Sequence, residues 1–321
     1  MKYIVGIDIG GTNIKAAIVN DKFKIMASKS VPTPYLQSEK IIFSFIIRVI
    51  KELMENVQIK AADLRGIGLG IPGLTDSQNG MAHCVSFLRW VDTDVTSPLS
   101  NHFQIPVFCE NDGSVNILGE MYFGAGKGYK NIILLTLGTG LGSGIVVNGE
   151  LLCGENGAAS EVGHMLIEPD GDVCVCGKRG CFESCCSATA LTRFARRMVL
   201  DHRESVLLKY TDGNIFHITG EMIHKGYLEG DEACIETIRV FNDKLSVGIG
   251  NLINLFNPGL IILSGGVSKL GDILITPVRA KVEEALLHPV QKCEIVIGKL
   301  YTNAGVLGAC GLVAKRLEIH K

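Results

Sequence analysis

The sequence predicts an α/β fold made of two similar domains whose mixed sheets face a central cleft. Three observations lead to this prediction. The chain has 321 residues, 47% of them hydrophobic, which is enough to bury two cores. Apolar β-rich runs alternate with runs of helical periodicity. One pattern, two apolar runs joined by a Gly/Thr turn, occurs twice, at 5–20 and 133–148, which suggests one copy for each domain.

The individual elements follow from local periodicity. The runs "VGIDIGGTNIKAAIVN" and "ILLTLGTGLGSGIVVN" align without a gap, with Gly10 opposite Gly138, and each predicts a β-hairpin. Residues 38–57 predict a helix with one apolar face, formed by Ile42, Phe45, Ile46, Val49, Ile50 and Leu53. Further strands are predicted at 64–73, 105–112 and 260–267. Further helices are predicted at about 113–123, 187–200, 232–256 and 304–317.

The domain boundaries are expected at two chain crossings, near residues 112 and 303. No Pro-rich or low-complexity stretch marks a loose linker elsewhere in the chain. The predicted small domain therefore comprises residues 1–112 and 303–321. The predicted large domain comprises residues 113–302.

Charge and targeting features argue against several classes of protein. The net charge of −2 gives no field that would attract nucleic acid or an anionic membrane, so neither is an expected partner. The N-terminus lacks the basic and apolar regions of a signal peptide. The most apolar window, "IIFSFIIRVI" at 41–50, is too short to span a bilayer. We therefore expect a cytoplasmic protein.

Two glycine-rich turns are candidate phosphate sites. "DIGGTN" at 8–13 joins two predicted strands, which excludes the dinucleotide fingerprint because that motif needs a helix after its glycines. Its glycines can adopt positive φ and expose N–H groups to phosphate oxygens, and Asp8 can hold Mg²⁺ directly or through water. "LGTGLGSG" at 137–144 is the second turn, and the two could grip a triphosphate. Plain hairpin turns are the alternative.

A third glycine pair lies in "LSGGV" at 263–267, after a predicted strand. An adenosine group would fit close to such a turn. An ordinary strand-to-loop turn explains the same residues equally well.

A polar cluster ends the predicted strand at 105–112. Glu110, Asn111 and Asp112 need hydrogen-bond partners at the end of an apolar run. Asp112 could be the N-cap of the next helix. It could instead accept a proton from a substrate hydroxyl, as the aspartate of a phosphotransferase does. A cap leaves Asn111 unexplained, whereas a polyhydroxy substrate would use both residues.

Three cysteines and a histidine have the spacing of a structural metal site. The segment at 163–181 contains His164, Cys174, Cys176 and Cys181. Three thiolates and one imidazole match a closed tetrahedral zinc site. A redox pair is an alternative, but catalytic dithiols normally have a two-residue spacer. A disulfide framework is disfavoured because the cysteine count of eleven is odd and no secretory segment is present. The ion would aim Glu161 and Glu183 at sugar hydroxyls.

Together these segments resemble the ROK family of sugar kinases, within the actin-like, ribonuclease-H-like ATPase superfamily. "DIGGTN" and "LGTGLGSG" are similar to the family's phosphate motifs, and "END" at 110–112 to its catalytic segment. "GAASEVGH" at 157–164 is similar to its sugar-binding motif, and "CVCGKRGCFE" at 174–183 to its zinc motif. The resemblance covers nearly the whole chain and implies two ribonuclease-H-like domains that close over the substrates.

The resemblance also implies an activity and its residues. We expect ATP-dependent phosphorylation of the 6-hydroxyl of a hexose, with glucose favoured over N-acetylmannosamine, N-acetylglucosamine, allose and fructose. Asp112 would be the general base. The implied sugar-binding residues are Gly73, Asn111, Asp112, Glu161, His164 and Glu183. The implied ATP- and phosphate-binding residues are Asp8, Gly10, Gly11, Thr12, Asn13, Gly138, Thr139, Gly140, Gly265 and Gly266.

The expected cofactors and partners follow from the same resemblance. ATP is the co-substrate, and Asp8 would hold Mg²⁺. A structural Zn²⁺ would be held by His164, Cys174, Cys176 and Cys181. The family expectation is a homodimer. Some members are repressors with an N-terminal helix-turn-helix, but this sequence starts on the first phosphate-motif strand and keeps Asp112. We therefore expect an enzyme and disfavour a sugar-sensing regulator or a filament-forming actin relative.

Overall fold

The computed structural model of the protein describes residues 2–35, 37–85, 88–287 and 291–319. It has the predicted α/β class. The strands are β1 (Tyr3–Ile9), β2 (Asn13–Val19), β3 (Ile25–Pro32), β4 (Leu64–Ile71), β5 (Leu74–Asp76), β6 (Met81–Val85), β7 (Trp90–Asp94), β8 (Val107–Asn111), β9 (Ile132–Leu137), β10 (Leu141–Val147), β11 (Glu150–Leu151), β12 (Leu260–Ser264) and β13 (Glu294–Ile297). The helices are α1 (Glu39–Val57), α2 (Ser97–Phe103), α3 (Asp112–Phe123), α4 (Phe182–Cys186), α5 (Ala188–Asp201), α6 (Val206–Tyr210), α7 (Gly220–Leu228), α8 (Glu232–Phe256), α9 (Asp272–Ala285) and α10 (Ala304–Arg316).

Two five-stranded mixed sheets contain the predicted hairpins. The first has the order β3-β2-β1-β4-β8, in which β1 is antiparallel to β2 but parallel to β4, and β4 is parallel to β8. The second has the order β11-β10-β9-β12-β13, in which β10 is antiparallel to β11 and β12 is parallel to β13. A small antiparallel sheet comprises β5, β6 and β7. The hairpins predicted at 5–20 and 133–148 are thus β1–β2 and β9–β10.

Helix α1 forms because its apolar residues fall on one face. The buried residues of that face are Ile42, Phe43, Ile46, Val49, Ile50, Leu53 and Met54. The predicted face is confirmed except at Phe45, which is only partly buried, while Phe43 lies in the core. Because each helix position is rotated 100° from the one before it, Phe43 falls inside one edge of the buried stripe and Phe45 falls outside the opposite edge.

Helix α10 packs directly on β1 and β4 because both strands have glycines beneath it. A Cβ atom at Gly6 or at Gly68 would lie 2.0 Å from a backbone carbonyl oxygen of α10. Neither position has room for a side chain. The first turn of α10 therefore reaches the end of β1, where Gly305 lies against the carboxylate of Asp8.

The chain divides into two compact units. The first comprises Met1–Leu134, Gly144–Ser160 and Gly298–Lys321, and the second Leu135–Ser143 and Glu161–Ile297. The whole of α3 belongs to the first unit. The domain division predicted near residues 112 and 303 stays a prediction. Within the described residues, no helix is long and apolar enough to cross a lipid bilayer.

Candidate functional site

In the first unit, the hairpin turn after β1 is held by two hydrogen bonds from Thr33, the residue that follows β3. The N–H of Gly10 donates to the carbonyl oxygen of Asn13 at 2.9 Å, which closes the turn. The Thr33 hydroxyl donates to the Gly10 carbonyl at 2.7 Å, and the Thr33 N–H donates to the Thr12 carbonyl at 3.0 Å. Gly11 and Thr12 are exposed. The turn is thus a supported and accessible loop, as a phosphate site requires.

The reason for glycine in this turn differs from our expectation. Neither Gly10 nor Gly11 has a positive φ, so the predicted left-handed backbone is wrong for both residues. A Cβ atom at Gly10 would lie 2.9 Å from the Asn13 carbonyl oxygen, whereas one at Gly11 would meet no atom within 4 Å. Gly10 is therefore needed for close approach within the turn.

The carboxylate of Asp8, at the end of β1, is in an unfavourable place for a negative charge. The pKa of Asp8 is raised to about 6, mainly by burial and also by the nearby charge of Asp112, while Lys15 opposes both effects. Lys15 lies directly opposite Asp8 in the β1–β2 pairing. Sequence reasoning did not select Lys15, although the hairpin register, once drawn, would have indicated it. Two repelling carboxylates provide the oxygen donors that a divalent cation prefers.

The polar cluster lies where β8 ends and α3 begins. The Asn111 side-chain oxygen accepts from the N–H of Gly113 at 2.9 Å and from that of Ser114 at 3.3 Å. Asn111 is therefore the N-cap, and the alternative that Asp112 is the cap is wrong. Asn111 Nδ2 also donates to the Gly73 carbonyl oxygen at 3.0 Å. This bond joins two of the predicted sugar-binding residues.

Asp112 is left as the first residue of α3. Its Oδ1 accepts from the N–H of Gly113 at 2.9 Å. Burial raises the pKa of Asp112, and the hydrogen bonds from Gly113 and from the Asn111 side chain oppose that rise. The result is a partly enclosed carboxylate with a higher proton affinity than an exposed aspartate has, which suits a general base.

Glu110 is a buried acid that sequence reasoning did not assign to a role. Its side chain is 4% exposed, and burial raises its pKa. Oε1 accepts from the N–H of Asn111 at 2.9 Å, Cys153 Sγ lies 3.9 Å from Oε2, and the Ser77 side chain also bonds to the carboxylate. These contacts fix the Glu110 side chain and so support the end of β8. Two of the three partners are distant in sequence, so no local pattern would have revealed them.

In the second unit, the turn after β9 is tied to the start of α5. The N–H of Gly138 donates to the Gly140 carbonyl at 3.0 Å, and the N–H of Ala188 donates to the Gly138 carbonyl at 2.7 Å. The Thr189 hydroxyl donates to the Thr139 carbonyl at 2.8 Å. The carbonyl oxygens of Gly138 and Thr139 are therefore fixed by the helix.

The glycine pair after β12 packs against the end of β9. Gly265 has a φ of 87°, and a Cβ atom there would lie 2.6 Å from the carbonyl oxygen of Leu137. Only glycine fits this conformation and this approach. Gly266, next to it, is open to its surroundings. The structure thus brings the 265–266 turn beside the 138–140 turn, as expected if both contact one nucleotide.

The four predicted zinc ligands lie together. One donor atom from each of His164, Cys174, Cys176 and Cys181 lies within 4.8 Å of all the others. Cys174 Sγ is 3.7 Å from His164 Nδ1, and Cys176 Sγ is 3.6 Å from Cys181 Sγ. Two sulfur ligands about 2.3 Å from a tetrahedral zinc are about 3.8 Å apart. The donor set and its spacing therefore fit a zinc ion.

Glu161 and Glu183, the two carboxylates expected near the zinc site, have different surroundings. Glu183 Oε2 accepts from the N–H of Leu141 at 2.9 Å, and Glu183 Oε1 lies 3.4 Å from Cys174 Sγ. Glu183 thus joins the zinc ligands to the turn after β9. Glu161 is exposed and precedes the short helical turn Val162–His164, which the N–H of His164 closes on the Glu161 carbonyl at 3.1 Å.

Comparison with known proteins decides the family. A model of the ROK family matches residues 4–316. The chain belongs to the ROK family. This ROK chain is 36% identical over 318 residues to the glucokinase of Halalkalibacterium halodurans, covering 98% of this chain and 96% of that protein. It is 28% identical over 319 residues to the xylose repressor of Bacillus subtilis, covering 97% of this chain and 77% of the repressor.

The solved structures agree with this assignment. The crystal structure of a ROK family glucokinase from Streptomyces griseus in complex with glucose and AMPPNP matches with a TM-score of 0.84 and 30% identity, covering 98% of this chain and 99% of that chain. The predicted resemblance to ROK sugar kinases is confirmed. The predicted α/β fold of the actin-like ATPase type, with mixed sheets, is confirmed as well.

Proposed function

We propose that this ROK protein transfers the γ-phosphoryl group of ATP to the 6-hydroxyl of glucose. The observation that carries the proposal is the carboxylate of Asp112. It lies at the junction of β8 and α3, its pKa is raised by burial, and it is close enough to Asp8 for their charges to repel. A phosphotransferase needs such a pair, one group to take a proton and one to hold the metal beside the phosphates.

Asp112 takes the proton of the sugar hydroxyl. A general base works best when its proton affinity is raised toward the working pH while it stays ionised. Burial moves Asp112 in this direction, and the N–H of Gly113 holds one oxygen in a fixed orientation. The other oxygen then accepts the proton as the hydroxyl oxygen attacks the phosphorus and the bond to ADP breaks.

The sugar ring binds to groups that accept or donate directional hydrogen bonds. We assign this role to Gly73, Asn111, Asp112, Glu161, His164 and Glu183. A polyhydroxy ligand that lacks one hydroxyl would leave an acceptor unpaired beneath the bound sugar, and this penalty would give the site its selectivity. The bond from Asn111 to the Gly73 carbonyl supports the assignment, because it fixes the orientation of the amide.

ATP binds to the glycine turns. The residues of the first turn are Asp8, Gly10, Gly11, Thr12 and Asn13, and those of the second unit are Gly138, Thr139, Gly140, Gly265 and Gly266. Exposed backbone N–H groups in such turns bind phosphate oxygens. Asp8 would hold Mg²⁺, directly or through water, and the ion would neutralise charge on the phosphates. The contact between Gly265 and Leu137 supports one shared nucleotide.

The zinc ion has a structural role in this proposal. His164, Cys174, Cys176 and Cys181 would complete a four-ligand shell, which leaves no open position for chemistry. The ion would supply rigidity to the loop that contains His164 and Glu183. His164 Nδ1 faces Cys174, so its other ring nitrogen is available for the sugar. We also propose that the enzyme is a cytoplasmic homodimer of the glycolytic pathway.

A coupled ADP-release assay over a panel of hexoses and N-acetylhexosamines tests the function. Glucose should give the highest kcat/KM, and Asp112→Asn should bind glucose but turn over slowly. If an N-acetylhexosamine, allose or fructose gave the highest value, the kinase would stand and the substrate would change. ATP-independent or absent sugar phosphorylation by the zinc-loaded protein would overturn the proposal.

A second candidate is a sugar-responsive regulator that does not phosphorylate. The similarity to the Bacillus subtilis xylose repressor over 77% of that protein is the observation in its favour. A regulator would bind a sugar, measured by calorimetry, without releasing ADP. The pair of raised-pKa carboxylates Asp8 and Asp112 favours the kinase, because sugar binding alone does not need a second buried acid.

A further inference from the structure

The zinc-ligand loop, which we define as residues 171–184, is tied to helix α5 by two arginines. Asp172 lies two residues before Cys174. Its Oδ2 accepts from Arg193 Nε at 2.9 Å and from Arg197 Nη1 at 3.0 Å, and its Oδ1 accepts from Arg197 Nη2. Positions 193 and 197 are four apart on α5, so both side chains project from the same face.

The two arginines do not make equivalent contacts. Arg197 directs both of its Nη groups to Asp172, and its side chain is 56% exposed. The side chain of Arg193 is 26% exposed, and its Nη2 also donates to the carbonyl oxygen of Ser184. Ser184 directly follows Glu183. Arg193 therefore joins the beginning and the end of the zinc-ligand loop to each other and to the helix.

The loop transmits this restraint because it is internally bonded. The N–H of Gly180 donates to the Asp172 carbonyl at 3.0 Å, and the Ser184 hydroxyl donates to the Cys181 carbonyl at 2.8 Å. The four candidate zinc ligands lie close together, but none of them belongs to α5. An ion at that site would set the internal shape of the loop, whereas the arginine contacts set its position on the helix.

We propose that Arg193 is a positioning residue that holds both ends of the zinc-ligand loop on α5 and thereby keeps Glu183 in place for the sugar. The link to sugar rests on the proposed function. The expected effect of Arg193 on zinc release does not depend on that function, because it follows from the contacts of Arg193 with Asp172 and Ser184 alone. Lysine cannot replace this arginine, since a single ammonium group on a flexible stem does not reproduce two fixed N–H directions.

The test compares Arg193→Lys with the matched control Arg197→Lys. Both keep the charge, lie on the same helix face and alter an ion pair to the same carboxylate. The readouts are the rate at which zinc-loaded protein releases zinc to a metallochromic chelator, the KM for glucose, the KM for ATP, and kcat. Circular dichroism and thermal melting report whether each variant folds.

We expect Arg193→Lys to release zinc about tenfold faster, equivalent to about 1.4 kcal/mol. We expect the KM for glucose to rise by a similar factor, because the charge-assisted hydrogen bond to Ser184, which directly follows Glu183, is lost. The KM for ATP should change less, because Ala188 and Thr189 also hold the turn after β9. Arg197→Lys should stay within about twofold in every readout, because Arg193 still holds Asp172.

Two results would overturn the proposal. One is that Arg193→Lys and Arg197→Lys release zinc at the same rate. The other is faster release from Arg193→Lys with an unchanged KM for glucose. If Arg193→Lys does not fold, Asp172→Asn replaces it, and zinc release at the wild-type rate then refutes the clamp. A wild-type protein that phosphorylates no hexose would overturn the proposed function, while the zinc-release comparison would still decide the role of Arg193.

Discussion

Replacing Gly265 with alanine tests how the turn after β12 is fitted to the end of β9. Gly265 has a φ of 87°, in the left-handed region that favours glycine. A Cβ atom there would lie 2.6 Å from the carbonyl oxygen and 2.8 Å from the nitrogen of Leu137. Both are backbone atoms, which cannot move aside as a side chain could. Leu137 directly precedes Gly138, so the methyl group would press on the turn that we assign to the phosphates.

Two costs contribute to the expected loss of stability. The left-handed conformation costs alanine about 1–2 kcal/mol. Forcing a methyl group into occupied space costs about 1–3 kcal/mol more. The free energy of unfolding should therefore fall by about 2–5 kcal/mol. This is a large part of the roughly 5–15 kcal/mol that is usual for a folded protein. The KM for ATP should rise as well.

Urea unfolding followed by circular dichroism measures the first effect, and steady-state kinetics measures the second. Gly266→Ala is the matched control. Gly266 has φ −63° and ψ −40°, and a Cβ atom there meets nothing within 4 Å. Alanine should leave stability unchanged or raise it by up to about 1 kcal/mol. If the two variants unfolded within about 0.5 kcal/mol of each other, the steric reasoning would be refuted.

Three further outcomes are expected. Asp112→Asn should fold and bind glucose but lose roughly 10²–10⁴ in kcat. Full activity in this variant would contradict the assignment of Asp112 as the general base. In the wild-type protein, kcat/KM should fall as pH falls through the raised pKa of Asp112. Cys176→Ser should lose zinc, measured by metal analysis, and raise the KM for glucose, whereas normal affinity in zinc-free protein would exclude a bracing role. Asp231 is the N-cap of α8. Burial raises the pKa of Asp231, but hydrogen bonds from Val206 and Cys234 lower it overall. Its stabilisation is therefore present above the unfolded pKa and lost as pH falls through the folded one. The stability gap to Asp231→Asn in urea titrations should shrink as the pH is lowered below about 5, and a constant gap would argue against the linkage.

Elements with strong local periodicity could be predicted from the sequence. The helix expected at 38–57 is α1 (Glu39–Val57), and the one expected at 232–256 is α8 (Glu232–Phe256). Both are long enough for a 3.6-residue period to repeat several times. The hairpins could be predicted for a similar reason, since each consists of two apolar runs around a short glycine turn.

The cluster of candidate zinc ligands could be predicted because chemistry and spacing constrain its members within 18 residues. His164, Cys174, Cys176 and Cys181 lie together as expected. The contacts that support them could not be predicted in this way. Asp172 meets Arg193 across 21 positions of sequence, and ordinary arginines on a helix surface give the same local pattern. An ion pair between residues far apart in sequence does not repeat along the chain, so no periodic pattern reveals it.

The role of Asn111 shows a different limit. An Asn-Asp pair before a helix allows either residue to be the N-cap, and the two are almost equally good caps. The backbone decides, because the cap must be the last extended residue, and β8 continues through Asn111. This places the Asn111 oxygen on the helix N–H groups and leaves the Asp112 carboxylate uncommitted to capping. A one-residue shift in strand length would have exchanged the two roles.

The closeness of Asp8 and Asp112 follows from the strand order of the first sheet. β4 separates the strands that lead to these carboxylates, and Asp8 pairs with Gly70 on it. Because β1, β4 and β8 are parallel, they present their ends at the same edge of the sheet. A Cβ atom at Gly70 would lie 2.5 Å from Val115 Cγ2 and 3.6 Å from Asp8 Oδ1. Val115 belongs to α3, so a side chain at position 70 would displace the helix that begins with Asp112. The missing side chain of Gly70 therefore lets α3 pack beside the carboxylate of Asp8, and this requirement is visible only once the strand order is known.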